Sequence, residues 1–169
     1  WMIGLNSDFE HFLIFVVIAL LVTYVAQSIG LAITGAVPNP DAANALAPVV
    51  LIVFILFGGF YVNQANIPVY FIWIEWISYI KYAFNALMRN EFEDLTLRCT
   101  DDQFVVQADG TRFCPITTGE GVLRLFALDD PWISIGESFI AMAAIGVAIR
   151  LLGFAGLILS ARRGKASAA

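Results

Sequence analysis

The chain has 169 residues, of which 60% are hydrophobic and only 14% are charged, and its formal net charge is −5. Its mean hydropathy of +0.81 is far above that of soluble domains. The nine basic residues are scattered along the sequence, which argues against a nucleic-acid-binding patch. The sequence begins at Trp1 with no initiator Met and no signal-peptide pattern, so we interpret it as the C-terminal piece of a longer polypeptide.

Three segments are long enough to cross a bilayer, which needs about 20 apolar residues. The first two, residues 12–37 and 42–62, contain no charged residue. The third, residues 132–161, carries Glu137 near its start and Arg150 inside. A soluble protein could bury one such helix, but three of them leave too little polar chain to cover them. The sequence therefore predicts a membrane protein.

Small residues recur at four-residue spacing on two of these segments, at Ala26, Gly30 and Thr34 and at Ala144 and Ala148. This spacing places them on one side of a helix, and small side chains let two membrane helices approach closely. We therefore expect both stripes to be helix packing faces.

The orientation of the spans follows from the basic residues. The sequence Arg162-Arg163-Gly164-Lys165 comes directly after the third span, and the positive-inside rule places it in the cytoplasm. Counting back through three spans places residues 1–10 outside, the turn at residues 34–44 inside, and residues 63–131 outside.

The outer segment contains a predicted helix of its own. Asn66-Ile67-Pro68 is typical of a helix start, with Asn as N-cap and Pro in the first turn. Its Trp and Tyr content suits the membrane–water interface. We expect a re-entrant or surface-lying helix pair on the outer side; the alternative is an ordinary fourth span, which would flip the topology of one end. Polar residues recur at spacings of three and four up to Phe92, as one helical stripe: Glu75, Ser78, Tyr82, Asn85 and Arg89.

The only two cysteines, Cys99 and Cys114, bracket a polar, hairpin-like segment whose Ala-Asp-Gly sequence is a turn signal. If this loop is outside the cell, the surroundings are oxidising and one pairing is possible. The alternatives are two unpaired thiols or a bond between subunits. A zinc site is not expected, because the only histidine, His11, lies outside this loop.

The C-terminal sequence Gly164-Lys165-Ala166-Ser167 is similar to the end of a P-loop. However, Leu159 occupies the position of the first glycine, and a membrane helix precedes the motif where a strand is required. The sequence predicts no catalytic residue and no metal site.

Several stretches, in this order, resemble the last part of the transmembrane domain of G-subfamily (White-type) ABC exporters. The resemblance covers nearly the whole chain, and its combined order is far more specific than any single motif. The stretches are Trp1-Met2-Ile3-Gly4-Leu5, Phe57-Gly58-Gly59-Phe60-Tyr61-Val62-Asn63, Ile67-Pro68, Ile80-Lys81-Tyr82-Ala83-Phe84-Asn85-Ala86-Leu87, Asn90-Glu91-Phe92, Thr118-Gly119-Glu120 and Ile149-Arg150-Leu151-Leu152-Gly153-Phe154.

The resemblance implies that residues 1–169 are the C-terminal part of an ABC-2 type transmembrane domain. The expected fold is an all-α membrane protein with three transmembrane helices, a re-entrant or interfacial outer helix, and an extracellular loop at residues 63–131. In characterised members of the family the cysteines of this loop pair within it, which implies a disulfide between Cys99 and Cys114. The protein would be a multi-pass protein of the plasma membrane with a cytoplasmic C-terminus.

The implied function is ATP-driven export of hydrophobic or amphipathic substrates, such as a lipid, a sterol or a xenobiotic. ATP and Mg²⁺ would bind to an upstream nucleotide-binding domain, so neither a cofactor nor ATPase chemistry is expected within these residues. Partners would be that domain, the remaining transmembrane helices and a second half-transporter, identical or different. The alternative function is a non-transporting membrane scaffold or a truncated remnant; an intramembrane enzyme would lack a paired acid or a nucleophile.

The resemblance also implies a substrate path. In such transporters the fifth helix lines the substrate cavity, and two bulky residues at its outer end form a valve. These positions fall on Phe60 and Tyr61, with Ile52 and Ile55 as cavity-lining residues one to two turns inward. Family members often have a Leu pair at the valve, and Phe-Tyr keeps the bulk but adds a hydroxyl. The alternative is that all four are ordinary apolar helix contacts.

Arg150 is the one basic residue deep inside a predicted span. A charge at this depth is costly if it faces lipid, so the guanidinium should meet a partner, a carbonyl or water, or reach toward the interface. The resemblance favours a structural contact over substrate binding.

Overall fold

The computed structural model describes residues 8–37, 39–59, 68–99, 103–106, 112–128 and 133–167. Within these ranges the fold is helical apart from one short β-hairpin. A 3₁₀ turn at Val69–Phe71 precedes the third helix. The helices are α1 (Phe9–Ala36), α2 (Pro40–Leu56), α3 (Ile72–Ile77), α4 (Tyr79–Phe92), α5 (Gly119–Leu125) and α6 (Ile135–Ser167), and the strands are β1 (Val105–Val106) and β2 (Arg112–Phe113).

Two of these helices are long and apolar enough to cross a membrane. They are α1, with a mean hydropathy of 2.5, and the segment Ile135–Leu159 of α6, with 2.2. The predicted first and third spans therefore each coincide with a candidate membrane-spanning helix, although α6 continues to Ser167, six residues past the predicted end at residue 161. The basic residues there stay helical, because Arg and Lys are good helix formers.

The second predicted span, residues 42–62, corresponds to α2. This helix begins at Pro40, where the Asn39 side chain accepts a hydrogen bond of 3.0 Å from the backbone N–H of Asp41. The described helix is apolar and has 17 residues, fewer than the about 20 that a bilayer crossing typically needs. Residues 60–67, which include the predicted helix start at Asn66, lie outside the described residues.

The core forms where α1, α4 and α6 meet. Ile18 and Val25 of α1 are buried together with Met142 of α6 and with Tyr79 and Ala86 of α4. The helices α1 and α6 run in the same direction, since Tyr24 meets Gly146 and, further along both helices, Gly35 meets Gly153. These three helices form the bundle on which the rest of the described chain is built; we call it the α1–α4–α6 bundle.

Close packing between α1 and α6 uses glycines that the small-residue stripes did not predict. A Cβ added at Gly35 would lie 2.9 Å from the carbonyl oxygen of Gly153. Gly30, in the centre of the predicted stripe, has nothing within 4 Å, and Ala144 and Ala148 are exposed. The predicted stripes therefore do not form the α1–α6 contact, and their role as packing faces toward another helix stays a prediction. The crossing point of two helices is set by their whole surfaces, which a four-residue spacing does not contain.

The segment up to Phe92, for which a helix pair was predicted, forms the two helices α3 and α4. Ser78 has φ −74° and ψ 105°, an extended conformation that ends α3 and precedes α4. We call this bend the α3–α4 elbow. Three residues of the predicted polar stripe, Glu75, Ser78 and Asn85, are buried, while large apolar side chains of the 3₁₀ turn and of α3 face outward, among them Trp73 and Trp76. This polarity is the inverse of a soluble protein's surface and fits a segment in contact with lipid.

The outer loop is closed by a disulfide between Cys99 and Cys114, whose Cα atoms are 6.0 Å apart. This confirms the pairing within the chain and excludes the two alternatives. The predicted hairpin is present as β1 and β2, with Val105 opposite Phe113. Thr96 also bridges to Thr118, so the loop returns to the point where it leaves α4.

Candidate functional site

The helix α2 turns an uncharged face away from the rest of the described chain. Among its 17 residues only Ala43 is buried. Of the two predicted path residues, Ile52 is 55% exposed and Ile55 is half-buried; being three positions apart, they lie on one side of the helix. After Asp41 the described part of α2 holds no charged residue. Its other exposed large apolar side chains are Leu46, Val49, Leu51, Val53 and Leu56.

The outer end of α2 unwinds at two glycines. Gly59 has φ 87°, a left-handed conformation that glycine adopts without strain and that ends helices. The predicted valve residues, Phe60 and Tyr61, follow directly and lie outside the described residues. Their assignment to a valve stays a prediction.

Three contacts fix this end of α2 to the α3–α4 elbow, and we call them the α2 clamp. The buried Ser78 hydroxyl donates a hydrogen bond of 3.0 Å to the backbone carbonyl of Phe54. The Phe54 ring meets the Tyr79 ring edge to face, with centroids 5.7 Å apart. Gly58 lies so close to Ile80 that a Cβ at position 58 would be 2.5 Å from its Cγ2.

The clamp is possible because the helix is ending. The N–H of Gly58 donates to the carbonyl of Ile55, so it does not take the Phe54 carbonyl as a regular α-helix would. That carbonyl therefore needs another donor, and the Ser78 hydroxyl supplies it. The Ser78 hydroxyl at the bend thus provides the hydrogen bond that the end of α2 would otherwise lack.

The elbow also encloses an ion pair. Lys81 Nζ lies 2.5 Å from Glu75 Oε1, and the two side chains are 5% and 9% exposed. The Lys81 ammonium lies over the Trp76 ring, 4.7 Å from its centroid. The Tyr82 hydroxyl donates to the backbone carbonyl of Trp76 at 3.0 Å. Two charges buried this deeply are tolerated because each neutralises the other.

Sequence reasoning missed this pair for a geometric reason. Residues six positions apart on a continuous helix lie about 240° apart around its axis, on different faces. The extended residue Ser78 changes the direction of the chain between Glu75 and Lys81 and brings them together. The sequence feature that could have indicated this ion pair is two opposite charges on either side of a serine, within an otherwise apolar, aromatic stretch.

A second polar junction ties the start of α1 and the segment after α5 to the end of α4. The Asn90 amide nitrogen donates to the His11 carbonyl at 3.0 Å, and its oxygen lies 3.3 Å from His11 Nδ1. Arg89 Nη2 donates to the carbonyl of Leu128 at 2.9 Å. These side chains border a cavity of about 330 Å³. Sequence analysis singled out Arg89 only as a stripe residue and did not predict the junction.

Arg150 contacts an aromatic ring across the bundle. Its guanidinium carbon lies 5.3 Å from the centre of the Tyr24 ring, and that ring also covers Gly146, one turn earlier on α6. In the described parts of α1, α2 and α6, carboxylates occur only near the helix starts, at Glu10, Asp41 and Glu137. The contact is therefore a cation–π interaction, which supports the expectation of a structural role.

In the described ranges, no three His, Cys, Asp or Glu side chains are grouped so that they could hold a metal ion. The side chains of Ser78, Lys81 and Asn90 bond to other residues of the protein. The described residues therefore present an uncharged face on α2, and the α2 clamp fixes the C-terminal end of this helix.

Comparison with known proteins gives consistent similarities. A family profile described as ABC-2 type transporter matches residues 1–92. The chain is 32% identical to Protein white of Ceratitis capitata over 168 residues, which cover 96% of the chain and 23% of that protein. It is 32% identical to ABC transporter G family member 1 of Dictyostelium discoideum over 115 residues, 68% of the chain and 14% of the relative.

A third relative is an ABC transporter ATP-binding protein/permease of Caenorhabditis elegans. It is 35% identical over 95 residues, which cover 56% of the chain and 14% of the relative. The chain spans less than a quarter of the length of these relatives.

Proposed function

Because this chain belongs to the ABC-2 type transporter family, in its G subfamily, we propose that residues 1–169 form the C-terminal half of the transmembrane domain of an ATP-driven exporter. The exported substrate is hydrophobic or amphipathic, such as a lipid, a sterol or a xenobiotic. Phe60 and Tyr61 close the exit of its path, and Ile52 and Ile55 line the path below them.

The observation that carries this proposal is the uncharged, outward-turned face of α2. A cavity lined by side chains such as Ile52 and Ile55 recognises its ligand through apolar contact, since the described helix offers no charge after Asp41. The two glycines at its outer end, next to the proposed valve, allow the chain to leave the helix there.

We further propose three spans, formed by α1, by α2 together with the chain that follows it to residue 62, and by α6. The C-terminus lies in the cytoplasm and the protein in the plasma membrane. The basic sequence Arg162-Arg163-Gly164-Lys165 after the third span supports this orientation. The Cys99–Cys114 disulfide supports an extracytoplasmic position for residues 63–131, where disulfides persist.

Energy comes, in this proposal, from ATP and Mg²⁺ bound by a nucleotide-binding domain outside these residues. The relative from Caenorhabditis elegans is named an ATP-binding protein as well as a permease. A second half-transporter, identical or different, completes the cavity together with the remaining transmembrane helices. The exposure of nearly all of α2 supports such partners, because an apolar helix face requires either lipid or another helix beside it.

The proposed valve can be tested in the full-length protein that carries this chain, reconstituted in liposomes. We expect Phe60→Ala/Tyr61→Ala to lower the stimulation of ATP hydrolysis by an apolar substrate about tenfold, within the usual range of coupling between sites. The matched control is Phe9→Ala/Phe12→Ala, which removes two exposed aromatic rings from the outer end of α1. The control should keep its stimulation.

Two results would contradict the proposal. If both double variants retain full stimulation, Phe60 and Tyr61 do not form a valve. If the unmodified protein neither binds nucleotide nor responds to any lipid, sterol or xenobiotic tested, the chain belongs to a non-transporting membrane scaffold.

A further inference from the structure

Among the described residues, side chains on both sides of the α3–α4 elbow contact the end of α2. Phe71, just before α3, lies with its ring centroid 5.7 Å from that of Phe57. Ser78 and Ile80 hold Phe54 and Gly58 from the other side of the bend. Any change in the angle of the elbow must therefore move the end of α2 or break one of these contacts.

The angle of the elbow is held by the Glu75–Lys81 ion pair. The two residues lie on opposite sides of the extended Ser78, one on α3 and one on α4. With 5% and 9% exposure, the pair has almost no access to water, so its attraction is little screened. Straightening the chain at Ser78 would separate the charges in an apolar environment, which is strongly unfavourable.

The clamp then transmits this angle to the residues that precede the proposed valve. The Ser78–Phe54 hydrogen bond joins the bend to the last turn of α2. Only Gly59 separates Gly58, the last clamped residue, from Phe60. A shift of the bend would therefore reach the exit through a very short stretch of backbone.

We propose that Glu75 and Lys81 are positioning residues for the exit: their ion pair sets the α3–α4 elbow, and the elbow holds the outer end of α2 in its closed position through the α2 clamp. This inference rests on the proposed function. It assigns no contact with substrate to either residue. Their charge pair acts through Ser78 and Phe54.

The test uses the full-length protein in nanodiscs, with Ile52→Cys as a reporter on the proposed path. An impermeant maleimide added from the outside labels position 52 only when the exit is open. The main variant is Glu75→Gln/Lys81→Met, which replaces a buried ion pair with neutral side chains of similar size and should fold. Without nucleotide, we expect labelling to become about tenfold faster, within the range of coupling between two sites.

Two further variants separate positioning from general destabilisation. Glu93→Gln removes the carboxylate of another charge pair on the same part of the chain, that of Arg89 with the half-exposed Glu93 at 3.9 Å, and should label like the unmodified protein. Lys81→Arg keeps the charge and should also label slowly. Ser78→Ala breaks the link to Phe54 and should accelerate labelling as much as the main variant, with no further increase when the two are combined.

The proposal is overturned if Glu75→Gln/Lys81→Met folds and labels at the unmodified rate, or if Ser78→Ala does so. The second result decides the question even if the ion-pair variant does not fold. Failure of the proposed function gives a different pattern, because ATP hydrolysis by the unmodified protein would then be unresponsive to substrate. The labelling comparison would still report whether the elbow controls the end of α2.

Discussion

The α1–α4–α6 bundle and the helix α2 are similar in composition and opposite in packing. Ile18 of α1 is 1% exposed, whereas Ile52 of α2 is 55% exposed, although both sit in long apolar runs without charge. Hydropathy therefore does not distinguish a helix that forms a core from a helix whose apolar side chains are exposed. The difference lies in the neighbours, and α2 has few of them outside its clamped outer end.

The strongest way to break this comparison is to shorten the same side chain in both regions. Ile18→Ala should destabilise the protein by about 3 kcal/mol, because a buried isoleucine leaves a cavity when it is truncated. Ile52→Ala should change stability by less than about 0.5 kcal/mol, as expected for an exposed position. Thermal unfolding of the two variants in the same detergent measures both. Equal losses would show that α2 is buried in the assembled protein and that its exposure here reflects absent partners.

The loop between α4 and α6 provides a second comparison, because a covalent bond closes it in addition to backbone contacts such as the Thr96–Thr118 bridge. Replacing both Cys99 and Cys114 with Ser should destabilise the loop by about 3 kcal/mol in the chain-entropy account of a loop of this size. The bundle should keep its own unfolding temperature. Limited proteolysis reports the loop and thermal unfolding reports the bundle. A fall in both would indicate that the loop and the bundle unfold together.

The smallest expected change in stability distinguishes the face of α1 that packs against α6 from its open face. Gly35→Ala should cost about 2 kcal/mol, since the added methyl group would lie 2.9 Å from the Gly153 carbonyl oxygen. Gly30→Ala, on the open side, should be neutral or slightly stabilising, because Ala is a better helix former than Gly. Comparing their thermal unfolding isolates packing from helix propensity. An equal loss at both positions would contradict the assignment of the α1–α6 contact.

Local patterns predicted the elements whose cause is local. The apolar runs predicted α1 and α6, and the two cysteines had only one partner each within the chain. The hairpin between them followed from a turn sequence. For the helices and the hairpin, the determining residues lie within the feature or directly beside it; the disulfide spans 15 positions but had only one possible pairing within the chain.

What the sequence did not predict depends on residues far apart in the chain. The break at Ser78 is stabilised by the Phe54 carbonyl, 24 residues earlier, and a helix period extrapolated through Ser78 contains no trace of it. The Asn90–His11 junction joins residues 79 positions apart. The path residues Ile52, Ile55, Phe60 and Tyr61 came from the family resemblance and stay a prediction, because their role depends on a substrate and on further helices.

The contact between α1 and α6 also governs how the protein is made. Its two helices are separated by all of the chain between Ala36 and Ile135, so the ribosome must synthesise nearly the whole sequence before Gly35 can meet Gly153. Until then the side of α1 that packs against α6 remains uncovered and accessible to chaperones and proteases. A stop codon that removes only α6 would therefore leave α1 and α4 without their shared core, and a truncated product of that kind should be cleared by quality control early in its life.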